Sequence, residues 1–175
     1  MHLLKIASGV VLIPLFSLFL GAGSAAAQIT TLTCPLGTNI THYTPGITNT
    51  PKTTTFVATS VLSACTGLPL GISNAQITTT GFGEIGCNSN TATINSEILW
   101  SDGTESAAEV NNQVVQRPVG QVVVIQELEI VSGRFSGATL VRTLTLLQTD
   151  FDGCSSPEGV TSVAGPETLT MTNLL

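Results

Sequence analysis

The sequence predicts an antiparallel all-β domain, and three observations carry that prediction. Threonine is β-branched and suited to half-buried pleated surfaces, and it supplies 27 of the residues from 28 to 175. Apolar and polar residues alternate over many short runs. Gly, Pro, Asn and Asp cluster between those runs as turn sequences. The pattern gives roughly eight to ten short strands and favours a β-sandwich of Greek-key or Ig-like type, with a closed barrel as the alternative.

The strands can be taken in order. Residues 28–34 form the first, ended by Pro35-Leu36-Gly37, and residues 39–44 the second, stopped by Pro45-Gly46. Residues 52–64 set Phe56 and Ala58 on one face and Thr53, Thr55, Val57 and Thr59 on the other. Residues 72–81 are extended, with a bulge or bend at Gly81-Phe82-Gly83. Residues 92–100 alternate most clearly: Ile94, Ser96, Ile98 and Trp100 share a face opposite Asn95 and Glu97. Asp102-Gly103 tolerates the positive φ of a tight hairpin, so residues 104–116 return as the partner strand.

After the turn at Arg117-Pro118-Val119-Gly120, residues 121–132 place Leu128 and Ile130 inward and Glu127 and Glu129 outward. A glycine-flanked corner, 132–137, leads into 138–148, where Leu140, Leu144 and Leu146 are in phase. Arg142 falls in that apolar phase. A phase-shifting bulge or a snorkelling stem is the expected reason, with a buried cation paired to Glu127 or Glu129 as the alternative. Residues 149–165 read as a loop, and 167–173 close the chain with Leu169 and Met171 against Thr168, Thr170 and Thr172.

The first 27 residues carry an address. Lys5, an apolar run from 6 to 20 and a small-residue tract with Ala25 and Ala27 form the pattern of a cleaved signal peptide. A spanning helix needs about 20 apolar residues, and this run is shorter and contains Pro14. Residues 1–27 are therefore expected to be removed. Residues 28–175 remain as a single secreted domain with no membrane span.

Charge narrows the partners. Beyond residue 27 there are eleven acidic residues against Lys52, Arg117, Arg134 and Arg142, a formal charge of −7. Four scattered cations cannot form the cluster that a phosphate backbone requires, which excludes nucleic acid and disfavours an anionic membrane surface.

Cys34, Cys65, Cys87 and Cys154 are an even set in an exported chain and predict two disulfides. Separations of 31, 22 and 67 contain no zinc-binding C-x-x-C pair, and His42 is the single histidine after the leader. Three pairings are possible. Cys34–Cys65 with Cys87–Cys154 is preferred, because the midpoints of both pairs fall on turn sequences, at Asn49-Thr50-Pro51 and Pro118-Val119-Gly120.

No residue set makes a strong catalytic, cofactor or metal site. His42 beside a Pro-Gly turn reads as a solvated loop residue, and no G-x-S-x-G elbow is present. Glu127 with Glu129 and Asp150 with Asp152 are the carboxylate pairs to consider for hydrolysis, and a solvated strand face and a turn explain them more simply. Asp150, Asp152 and Glu158 are the best calcium candidates, although their spacing departs from an EF-hand loop and Cys154 interrupts it. Asn39-Ile40-Thr41 fits a glycosylation sequon. Trp100 shares its phase with Ile94 and Ile98 and is expected in the core.

Several pieces also carry a likeness in their order: Tyr43-Thr44-Pro45-Gly46, Trp100-Ser101-Asp102-Gly103-Thr104 with Ser106, Val131 through Gly137, and Gly159-Val160-Thr161-Ser162 with Gly165-Pro166. With its four cysteines the chain resembles an uncharacterised family of small secreted β-rich proteins of actinobacteria. The resemblance implies export and a β-fold, and no activity. The expected role is non-catalytic, binding an extracellular protein or glycan through loops near Pro45, Asp102 and Pro118 at one end of the domain. The alternatives are a secreted inhibitor of proteases or other hydrolases and a small hydrolase using carboxylates such as Glu127 or Asp152.

Overall fold

The computed structural model describes residues 30–118, 121–147 and 152–173; the leader, 1–27, lies outside them, as does Asp150. The strands are β1 (Thr30–Cys34), β2 (Leu36–Ile47), β3 (Lys52–Ser63), β4 (Thr66–Leu68), β5 (Ala75–Gly86), β6 (Ser89–Asn90), β7 (Thr93–Trp100), β8 (Glu105–Gln116), β9 (Gln121–Gly133), β10 (Thr139–Leu147) and β11 (Val160–Asn173). A 3₁₀ turn at Gly153–Ser155 is the single helical element among the described residues. The all-β prediction holds.

The architecture is the barrel and not the sandwich. Antiparallel pairing runs β10-β9-β8-β7-β5-β3-β2-β11, and β10 pairs back onto β11, with Leu140 opposite Met171 and Thr143 opposite Thr168. That contact closes eight strands into a ring. A sandwich and a barrel produce the same inward–outward alternation, so periodicity could not separate them. Closure depends on the 14-residue β11, which borders β10 on one edge and β2 and then β1 on the other.

Val160–Gly165, the last part of the expected loop 149–165, is the first part of this strand. Pro166 takes the last position of the ladder with β2, where a missing amide is least disruptive before pairing passes to β1. Likewise β2 does not stop at Pro45 but continues to Ile47. Register shifts between β8 and β9, at Ala107/Ala108 and Val110/Asn112, are bulges of the kind that curve strands around a closed ring.

The interior falls into three storeys. At one end Leu62, Ile77, Ile98, Trp100, Leu128, Ile130, Leu140, Leu169 and Met171 form a continuous apolar core. Each expected inward phase is realised there, including that of Trp100, which is 1% exposed. The Trp100 ring meets Phe135 edge-on at 5.2 Å, and its Nε1–H donates to Ser106 Oγ at 2.9 Å. Ser106 Oγ in turn donates to the Arg134 carbonyl.

The Asp-Gly turn closes above this core. Gly103 has a φ of 80°, a conformation that a residue with a Cβ adopts with strain, and its amide donates to the Trp100 carbonyl. The Thr104 hydroxyl, the Thr104 amide and the Arg134 guanidinium 3.0 Å away hold the Asp102 carboxyl below the usual carboxylate range. Cys34–Cys65 staples this end.

The opposite end carries a second cluster of Ile47, Phe56, Ala58, Ile85 and Val160, stapled by Cys87–Cys154. The preferred pairing is therefore formed, and no free cysteine remains among the described residues. Two disulfides accord with folding in an oxidising compartment, each contributing about 2–4 kcal/mol. Between the two apolar storeys lies a buried polar layer of Asn39, Thr41, Ser60, Thr79, Ser96, Arg142 and Glu167.

Candidate functional site

The barrel is filled at the Trp100 end and hollow at the other. A cavity of about 120 Å³ lies inside the ring between the polar layer and the loops that carry Cys87 and Cys154. Its walls follow from strand alternation: Phe56 and Ala58 on β3, Ile94 on β7, Val124 on β9, Leu144 and Leu146 on β10, Val160 and Val163 on β11. Gly81 on β5 pairs with Phe56 on β3, and a Cβ at Gly81 would collide with the phenyl ring. Glycine at that inward position lets the ring lie across β5 and form wall.

The rim carries Tyr43 and Arg117. Burial pushes the Tyr43 hydroxyl up to about 12, with the Arg117 charge opposing that shift, so the phenol is neutral at physiological pH. The Tyr43 ring packs 6.0 Å from Phe56, centroid to centroid.

The floor is the polar layer, organised by a buried ion pair. Arg142 is 1% exposed, and its Nε–H donates to Glu167 Oε1 at 2.7 Å. Its Nη1 donates to Thr79 Oγ1 at 3.1 Å and its Nη2 to Ser60 Oγ at 3.0 Å. Ser60 Oγ donates to Glu167 Oε2 at 2.6 Å, and Asn39 Nδ2 donates to Ser60 Oγ at 2.9 Å. Thr41 Oγ1 donates to Asn39 Oδ1 at 2.8 Å, and Gln126 Nε2 to Gln113 Oε1 at 2.8 Å. Burying two charges is tolerated because each finds its counterion and further hydrogen bonds.

Arg142 is thus a buried cation, as the less favoured alternative had it, but its partner is Glu167 and not Glu127 or Glu129. Neither a bulge nor a snorkelling stem is needed. A usable sign stood in the sequence: Glu167 shares the phase of Leu169 and Met171, as Arg142 shares that of Leu140 and Leu144. Opposite charges in the inward phases of two strands are candidates for one another.

The other singled-out residues lie elsewhere. Glu127 and Glu129 point outward from β9, where Glu129 accepts from Asn111 Nδ2 at 3.3 Å. Asp152 and Glu158 are exposed around the 3₁₀ turn, and no group of three His, Cys, Asp or Glu able to hold a metal occurs among the described residues. His42 is solvated but sits on β2, opposite Val57, and not in a loop. Asn39 is fully buried in the floor, so the folded barrel offers no amide for a glycan at that sequon. Pro45 and Pro118 lie toward the cavity end, whereas Asp102 caps the Trp100 end, so these three positions do not form one contact surface.

No helix among the described residues is long and apolar enough to cross a membrane. No protein-family model, curated protein or solved structure matches the chain.

Proposed function

We propose that this chain is a secreted, non-catalytic binding domain that takes a small, largely apolar molecule into the cavity end of its barrel. The observation that carries the proposal is the asymmetry of the interior. One end is packed with Trp100 and its neighbours, while the other keeps a cavity of about 120 Å³ behind apolar walls. Core packing normally leaves few voids larger than a water molecule, so a preserved hollow with a built polar floor has the form of a ligand site.

The size sets the guest. A cavity of about 150 Å³ lined by Leu, Ile and Phe holds benzene, so this one suits a molecule of about that size. With a ligand of so few atoms, affinity falls in the range of tens of micromolar to millimolar. The leader pattern, the two disulfides and the likeness to small exported actinobacterial proteins support release outside the cell.

Methyl-detected NMR during titration with toluene tests the proposal. Shifts are expected at the methyls that line the hollow, among them those of Leu144, Leu146, Val160 and Val163, with Leu140 and Met171 unmoved. Leu144→Trp, which fills the cavity, should abolish the response. A response at Leu140, or none at any accessible concentration, would contradict the reading.

A further inference from the structure

We propose that the guest is uncharged and carries a hydrogen-bond acceptor that it lowers onto Arg142. This rests on the cavity being a ligand site, and names the class of ligand.

Three observations lead there. Arg142 lines the cavity and Glu167 does not, so a guest reaching the floor meets the cation and not its counterion. The guanidinium has five N–H groups. Contacts to Glu167, Thr79 and Ser60 occupy one N–H on each nitrogen, leaving a second N–H on both Nη1 and Nη2 beyond these contacts. Both Glu167 oxygens are engaged, one by Arg142 and one by Ser60, and the Asn39 carbonyl oxygen is held by Thr41. The centre of the floor therefore offers donors.

Charge decides between acceptor types. The Arg142–Glu167 pair sums to zero, so a carboxylate head lowered onto the floor would be an anion with no counterion of its own there, the other lining cation, Arg117, standing at the rim. An ammonium head would face the guanidinium directly. A ketone, ester, amide or ether oxygen accepts a charge-assisted hydrogen bond without bringing a charge. The apolar body then rests against Phe56, Leu144 and Val160.

A set of four probes with equal numbers of non-hydrogen atoms tests this: cumene, acetophenone, benzoate and α-methylbenzylammonium, titrated into the full mature chain by methyl NMR. Acetophenone should bind about tenfold more tightly than each of the other three. Intermolecular contacts should place its acetyl group near the Thr79 methyl and its ring near Leu144 and Val160. Benzoate or the amine binding as tightly as acetophenone, or cumene matching it, would overturn the acceptor-down assignment while leaving a ligand cavity in place. Failure of all four would overturn this inference, and failure of toluene as well would overturn the cavity reading with it.

A double substitution, Arg142→Met with Glu167→Met, removes both charges and should level acetophenone with cumene. If that variant does not fold, the wild-type ranking and the contact pattern still decide the matter.

Discussion

The two ends of this barrel use the same eight strands and the same alternation, yet only one is full. At the Trp100 end, inward positions carry large side chains that interlock: Trp100, Met171, Leu128 and Leu140 are at most 1% exposed. At the cavity end, Phe56, Leu144, Leu146 and Val160 stay 6 to 8% exposed and face a hollow. Each end has its own disulfide, so crosslinking does not explain the difference. What differs is the closing chemistry. The Trp100 end is plugged by Phe135 on the β9–β10 corner, whereas the lower boundary of the hollow is a layer that must remain polar to satisfy Arg142 and Glu167. A packed end and a polar floor together fix where a guest can reside.

The largest expected effect comes from breaking the layer that divides the two ends. Glu167→Met leaves Arg142 buried without its counterion and should lower stability by about 3–5 kcal/mol. Pairing it with Arg142→Met should restore most of the loss. Urea midpoints of the single and double variants check this, and a double variant as unstable as the single would mean the layer acts through shape and not charge.

A sharper comparison uses one residue type on one strand. Leu140→Ala, in the filled end, should cost about 3–4 kcal/mol, because its neighbours cannot collapse into the space. Leu144→Ala borders space that already exists and should cost about 2 kcal/mol. Equal losses would mean that the ends are packed alike.

The smallest effect reports on the rim. Tyr43 is the chain's one tyrosine, so an absorbance titration follows it alone. It should ionise near 12 in place of the ordinary 10.0. The unfolded chain gives up this proton first. The contribution is therefore intact below pH 10.0 and is lost as pH climbs toward about 12, by about 1–3 kcal/mol in all. Tyr43→Phe should flatten that fall. Ionisation at the ordinary value would mean that the rim is open to water.

Much of this was legible because a strand's side chains alternate with period two. The phases of β3, β7, β9 and β10 assign Phe56, Trp100, Leu128 and Leu140 to the interior without any knowledge of pairing. The disulfides followed from turn positions between the cysteines. Closure was not legible, because the β10–β11 contact joins stretches separated by the Cys154 loop, and Val160–Gly165 looks locally like loop.

The floor was only half legible. Arg142 stands out as a charge in an apolar phase, but the acidic residues nearest to it in sequence, Glu127 and Glu129, lie on the neighbouring β9 in a phase that points them outward. Asn39 and Thr41 looked like a surface sequon because a polar interior layer is invisible to an argument that equates inward with apolar. The cavity itself is a property of volume left over, which no residue announces.

Diffraction from crystals under xenon pressure would separate the hollow end from the filled one, since xenon enters apolar hollows and finds no room in packed cores. Density is expected within the barrel among Phe56, Ile94, Leu144 and Val160, and none beside Trp100 or Leu140. Xenon seated at the Trp100 end, or an interior without xenon at either end, would contradict that difference between the ends.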